Sequence, residues 1–272
     1  MKKNKQILKI ISFIIAACLI GAILFVTNAF VGNPVSSAFA KKTINEYVAE
    51  KYAHLNLDVG KVSYNFKDSN YMARAKSKTS IDTHFNIYYR NGEIKWDEYE
   101  SSVLGKYNTL SRLETEYSEL AIQILSKIPG LENNRAMVLI EKWEYEQTNG
   151  DIKLDMKFDK SLPIDMKVII RTDLKDISLK NIADILESSH RILLDHGCRF
   201  TSYDIFSESD SDGTLVMVND VTPEDIESGQ LDKLLEDALN YEEEELDKVA
   251  EKDNKEPDYN QKINVFIKHN TK

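Results

Sequence analysis

The sequence predicts an α+β protein, with an N-terminal transmembrane helix followed by two small antiparallel-sheet-plus-helix domains. Three observations carry this expectation. An uncharged, almost wholly apolar run extends from Ile10 to Val31. Behind it, short segments alternate apolar and polar residues, the period of a half-buried strand, and they fall into two groups. Each group is accompanied by apolar stripes at three-to-four spacing, the period of an amphipathic helix. Strands and helices are segregated instead of strictly alternating, which argues for α+β over a doubly wound parallel sheet.

Composition narrows the classes of function. Of the 272 residues 42% are apolar and 29% charged, enough to bury a core. Two cysteines exclude a disulfide scaffold and a four-cysteine zinc site. A net charge of −10 argues against nucleic acid as a partner, because phosphate contact needs a basic surface.

The N-terminal element comes first in the chain. Lys2, Lys3, Lys5 and Lys9 form a basic tail, residues 1–9, and no further charge occurs until Lys41. As a helix, residues 10–31 span about 33 Å at 1.5 Å per residue, matching the hydrocarbon core of a bilayer. The four lysines favour a cytoplasmic N-terminus, which places everything after the span outside the cell membrane. Two alternatives compete with this single-pass topology. Ala38-Phe39-Ala40 has the small-residue form at which a signal peptide is cut, which would give a secreted protein cleaved after Ala40. Ile15-Ala16-Ala17-Cys18 has the form of a lipoprotein box, but apolar sequence continues past Cys18 to Val26, where a mature lipoprotein turns polar. A cleaved signal usually carries only about 7–15 apolar residues, so the uncleaved anchor is the expectation. Cys198 then stands alone beyond the span, and a buried free thiol is its expected state.

The first domain is expected over residues 36–131. Ser37–Tyr52 places Phe39, Ile44, Tyr47, Val48 and Tyr52 at helical intervals. Val62, Tyr64 and Phe66 alternate with polar neighbours, as do Ile81, Thr83, Phe85, Ile87 and Tyr89, and then Ile94 and Trp96. Asn91-Gly92 between the last two runs predicts a hairpin, since a type I′ turn needs positive φ at both central positions. Val103, Tyr107, Leu110, Leu113, Tyr117, Leu120, Ile124 and Ile128 form the stripe of a long helix stopped by Pro129-Gly130.

The second domain is expected over residues 132–272. Met137–Tyr145 and Ile152–Phe158 flank Asn149-Gly150 and predict a second hairpin. Ile164, Met166, Val168 and Ile170 make a strand, and Leu179, Ile182, Ala183, Leu186 and Leu193 a helix with Gly197 at its C-cap. Strands around Phe200–Phe206 and Leu215–Val218 flank the turn Ser209–Gly213. Thr222-Pro223-Glu224-Asp225 has every mark of a helix start, and it opens an acidic helical segment, 223–257, with 14 acids against four lysines. A last strand is expected at Ile263–Ile267.

The run Asn28-Ala29-Phe30-Val31-Gly32-Asn33-Pro34, with Ser63-Tyr64-Asn65-Phe66-Lys67-Asp68 and Ser80-Ile81-Asp82-Thr83-His84-Phe85, resembles the YfjL-like family of Gram-positive bacteria. The resemblance covers about residues 28–125. It implies a membrane-attached two-domain protein and supplies no activity, cofactor or catalytic residue.

No sequence feature points to a catalytic, cofactor-binding or metal-binding residue. The chain lacks both glycine-rich phosphate loops, the G-x-S-x-G elbow and the H-E-x-x-H helix. His190 and His196 lie six apart, so on a helix they point to different faces, one at the surface and one near the C-terminus where positive charge is favoured. Glu208-x-Asp210-x-Asp212-Gly213 has the opening of a calcium loop, but Asn219 replaces its bidentate Glu, so a solvated turn is expected and weak calcium binding is the alternative. Glu242, Glu243, Glu244 and Glu245 wind around one helix into water, a face suited to cationic partners. Tyr64, Phe66, Phe85, Tyr89, Trp96 and Tyr99 are expected on the buried face of the first sheet, with Tyr88 exposed and Trp96→Ala costing about 3–5 kcal/mol. The overall expectation is a non-enzymatic binding or accessory module at the cell envelope. It would meet the membrane through one span and a protein partner outside it. An extracytoplasmic hydrolase with an unrecognised site is the alternative.

Overall fold

The computed structural model describes residues 2–140, 152–161, 164–209, 213–251 and 262–269. α1 (Lys2–Val31) is continuous and exposed along its apolar length, with mean hydropathy 2.8 over its most apolar stretch, and is long and apolar enough to cross a membrane. The chain breaks at Gly32, whose φ of 78° suits a residue without a side chain, and restarts as α2 (Pro34–Lys51). Asn33 caps α2: its Oδ1 accepts from the N–H groups of Val35 and Ser36 at 2.8 and 3.3 Å. Ala40, Ile44 and Val48 bury one stripe of α2, whereas Phe39, expected in that stripe, is exposed. The tripeptide Ala38-Phe39-Ala40 therefore lies inside a helix, with its last residue in the core.

Two compact units follow from the contacts, residues 1–109 and 110–272. In the first, β1 (Leu57–Val59), β2 (Ser63–Asn65), β3 (Asn70–Ser77), β4 (His84–Arg90) and β5 (Glu93–Asp97) form an antiparallel sheet. Its order is β1-β3-β4-β5, with β2 also on β3. Asn91 and Gly92 take φ of 54° and 93° in the expected β4–β5 hairpin. The central strand β3 escapes sequence reading because, beyond Tyr71, its core-facing positions are Ala73, Ala75 and Ser77, small residues with little apolar contrast.

α3 (Tyr107–Leu125) starts in the first unit, but Leu110, Tyr117, Ala121, Ile124 and Leu125 join the core of the second. The expected boundary near Leu131 thus moves to the start of the helix, because the stripe buries itself against the second sheet. That sheet runs β10-β9-β8-β7-β6, with β6 (Met137–Ile140), β7 (Met166–Leu174), β8 (Ser202–Ser209), β9 (Leu215–Val221) and β10 (Asn264–Lys268). The proposed turn Asn149-Gly150 lies outside the described residues, and residues 152–158 form no strand. β6 instead pairs with β7, and Ile152 enters the core. β7 and β8 are parallel, joined by the crossover helix α4 (Leu179–Asp195), so the second sheet is not wholly antiparallel. A long helix between strands carries the chain back to the edge where it began, which returns the next strand in the same direction. α5 (Pro223–Glu227) has the expected capping box of Thr222 and Asp225, and α6 (Leu231–Glu251) follows. α3 also closes the edge of β6. The Ser118 hydroxyl accepts from the Val138 N–H and the Glu114 carboxylate from the Ile140 N–H, both at 2.8 Å.

Candidate functional site

Among the described residues each unit is a sheet with helices on one face, and no described helix covers the other. In the first unit the covered face holds Tyr71, Ala73, Phe85, Ile87 and Tyr89 against α2. The pleat sends Met72, Arg74, His84, Asn86, Tyr88 and Trp96 to the opposite face. Trp96 is 49% exposed and stacks on Tyr88 at 4.5 Å with an interplanar angle of 18°. Phe66, in the β2–β3 turn, is likewise exposed. Of the six aromatics expected in the core, Tyr64, Phe85, Tyr89 and Tyr99 pack in it and Phe66 and Trp96 do not. The misplacement of Trp96 traces to a β-bulge: the register shifts beside Tyr88 and Tyr89, so Trp96 pairs with Tyr88, out of phase with Ile94. Truncating Trp96 therefore removes an aromatic contact of about 1 kcal/mol instead of opening a core cavity.

Tyr88 is half-buried. Its hydroxyl donates to Glu98 at 2.5 Å, and burial together with that bond pushes its pKa up to about 12. Asn86 holds the other Glu98 oxygen through its side-chain amide at 2.9 Å. Arg74 donates to His84 Nδ1 at 2.7 Å, and burial, then the Arg74 charge, lower the His84 pKa.

A second polar cluster ties α2 to β5. Asp97 Oδ2 accepts from Tyr47 (2.5 Å), Tyr52 (2.9 Å) and Lys51 (3.2 Å), and Oδ1 accepts from the Tyr99 N–H. Burial alone would raise the Asp97 pKa, but these hydrogen bonds outweigh it and hold the carboxyl below its ordinary value. Burial raises both tyrosines, and bonds to Tyr47 and Tyr52 raise Lys51. Every shift leads away from neutrality, which suits a structural lock and not acid–base catalysis.

In the second unit the open face carries an apolar row. Phe266 of β10 pairs in register with Met217 of β9, and Met217 with Phe206 of β8. Ile169, Leu215 and Met137 border the row on the same face, and all six residues stay outside the core cluster. Phe266 is 41% exposed and Met137 38%. Beside the row, Lys167 Nζ meets Asp220 at 2.5 Å and Asp204 at 3.4 Å, while the Asp220 N–H donates to Asp204 at 2.8 Å. Burial raises the Asp204 pKa. Burial would lower Lys167, but its bonds to the two aspartates raise it. The result is a satisfied charge cluster beside the apolar row, on a face that also carries Arg171, Glu208 and Lys268.

The other candidates resolve as follows. His190 is buried, not at the helix surface, and its ring meets the Tyr203 hydroxyl at 2.9 Å and Glu227 at 3.2 Å. His196 caps α4, contacting the Ile192 carbonyl and Lys127. Cys198 is buried and free, and burial pushes its thiol up. Asp210 and Asp212 lie outside the described residues, as do the side chains of Glu242, Glu243, Glu244 and Glu245. Among the described residues no group of three His, Cys, Asp or Glu is placed to hold a metal.

A cleft of about 680 Å³ lies at the C-terminal end of β7 beside the start of α4, where open α/β sheets hold ligands. Its polar groups already serve the fold. Asp173 is forked to Arg135 at 3.0 and 3.1 Å, Asn181 donates to the Asp176 carbonyl, and Thr172 to the Gly130 carbonyl.

The described residues thus form an N-terminal helix long and apolar enough to cross a membrane, followed by two mixed helix-and-sheet units. Residues 7–98 match the family model described as "YfjL-like, N-terminal domain" and residues 116–262 the one described as "YfjL-like C-terminal domain". The chain belongs to the YfjL-like family. No curated protein and no solved structure matches it.

Sequence reading missed both open faces. For the second, Phe206, Met217 and Phe266 each alternate with core residues, so one strand at a time they read as ordinary boundary positions. Only the strand order aligns them.

Proposed function

We propose that the chain is a single-span, membrane-anchored binding or accessory module that works outside the membrane without catalysing a reaction. The observation that carries this reading is the row Phe206–Met217–Phe266 on the open face of the second sheet. A flat apolar strip beside a satisfied charge cluster suits docking of a protein surface, since a soluble face rarely leaves contiguous apolar area without use. The burial of Ala40 inside α2 supports an uncleaved chain, because cutting there would remove the capped first turns of a core helix. Lys2, Lys3, Lys5 and Lys9 support a cytoplasmic N-terminus with both units extracytoplasmic, and the family resemblance suits the cell membrane of a Gram-positive bacterium. Glu242, Glu243, Glu244 and Glu245 offer a second contact, suited to a cationic partner.

The test places a photo-crosslinking residue at Met217, at Glu243 and at the exposed control Leu154 in the full-length protein in its own membrane. A discrete adduct from Met217, absent from Leu154, is expected. An adduct from Glu243 alone would move the binding surface to the acidic helix. No adduct from either would sink the binder reading.

A further inference from the structure

The junction between α1 and the first sheet is closed, not a loose tether. Gly32 packs so tightly that a Cβ there would lie 2.6 Å from Tyr64 Cγ. The Asn33 N–H donates to the Tyr71 hydroxyl at 2.7 Å, and that hydroxyl reaches back to the Asn33 carbonyl at 3.3 Å. This clamp puts the β2–β3 turn against the last turn of α1. The rings of Phe30 and Phe66 lie 5.7 Å apart. Phe66 is 51% exposed and stays outside the core cluster. Lys67, next in the turn, and Lys61, which lines the cleft between α1 and β2, are both exposed.

A lone exposed phenylalanine needs no explanation on most surfaces. Its position gives this one meaning, and the step rests on the reading of α1 as a membrane span. A span of residues 10–31 covers about 33 Å against a hydrocarbon core of about 30 Å, so Phe30 sits at the boundary. A ring packed beside it lies in the headgroup layer, where aromatic residues are favoured and lysine ammoniums meet lipid phosphates. We propose that the β2–β3 turn is a second membrane contact: Phe66 lodges in the interface of a bilayer containing anionic lipid, with Lys61 and Lys67 on its headgroups. The first unit is then seated on the bilayer in one orientation, whichever side of the membrane it occupies.

The experiment uses the full-length chain with Trp96 and Trp143 changed to Phe, reconstituted in phosphatidylcholine vesicles with and without 30% phosphatidylglycerol. Single tryptophans are introduced as Phe66→Trp, Phe25→Trp and Ile81→Trp. Ile81 lies past the far end of β3, an eight-residue strand and so about 26 Å from the turn. Protection of the Cys198 thiol from a water-soluble reagent checks the fold of the second unit in each variant, and near-ultraviolet circular dichroism of the buried tyrosines that of the first. For Phe66→Trp we expect at least twofold quenching by lipids brominated high on the acyl chain, and weak quenching by iodide. Ile81→Trp should respond to iodide alone. Strong iodide quenching of Phe66→Trp with no response to brominated lipid, while Phe25→Trp responds, overturns the second contact and leaves the span standing. A silent Phe25→Trp overturns the span and the contact together. Loss of quenching at Phe66→Trp on Lys61→Gln with Lys67→Gln, or without anionic lipid, supports the headgroup contact; equal quenching overturns the role of the lysines.

Discussion

Asp97 shows how one carboxylate fixes the geometry of a helix against a strand. It collects two tyrosine hydroxyls, a lysine and a backbone N–H, and its side chain is 7% exposed. Hydrogen bonds to the charged form hold its folded pKa below the ordinary 3.8. A depressed carboxyl pKa stabilises the fold above its unfolded value, and that contribution disappears as the pH falls through the folded value. Comparing the full-length protein with Asp97→Asn by guanidinium unfolding in detergent should therefore give a stability difference that is constant from pH 8 to 5 and shrinks below about pH 4. A difference that stays constant down to pH 3 would show that Asp97 makes no charge-dependent contribution. Trp96 teaches the reverse lesson at the same scale: a large aromatic in an alternating run ends at the surface because one bulged residue inverts the phase.

At the scale of elements, the informative pair is α3 and β6. β6 is an edge strand, and its outward N–H groups would otherwise offer a template for another chain. Ser118 and Glu114, one helical turn apart, point along α3 onto Val138 and Ile140. Burial raises the Glu114 pKa, and the Ile140 N–H partly offsets this. Ser118→Ala leaves the Val138 N–H buried without a partner, which should cost about 1–3 kcal/mol. The same change at Ser126, whose hydroxyl bonds the Gln123 carbonyl at the surface, should stay within about 0.5 kcal/mol. Unfolding midpoints of the two variants decide this, and faster amide exchange at Val138 should accompany the loss. α3 thus does two tasks, filling the second core with one stripe and sealing its sheet with the next residues round.

At the scale of the whole molecule, an apolar helix is clamped to its first unit, with the family's two domains in series. If α1 spans a membrane uncleaved, the protein stays in the membrane pellet through alkaline carbonate washing at its full mass of 31.2 kDa. Release of a species beginning at Lys41 would instead show cleavage after Ala40. The acidity lies wholly beyond residue 40, and the segment 223–257 concentrates it. Its influence reaches only about a Debye length, near 8 Å at physiological salt, so it acts on partners already close.

Local signals in the sequence determined a good part of this protein. The apolar length of α1, the Asn91-Gly92 hairpin, the capping box at Thr222 and the stripe of α4 each rest on a few neighbouring residues, so pattern suffices to find them. Tertiary structure decided everything that depends on which surfaces meet. β3 is central although its buried side is mostly small, because the sheet on either side and α2 above supply the burial its own residues lack. Residues 152–158 look like half of a hairpin and are not a strand, since β7 takes the pairing with β6. The parallel β7–β8 pair, the phase of Trp96 and the apolar row of Phe206, Met217 and Phe266 are relations between strands distant in sequence. Alternation within one strand says which residues share a face. Only the neighbouring elements decide which face is covered and which is left to water or a partner.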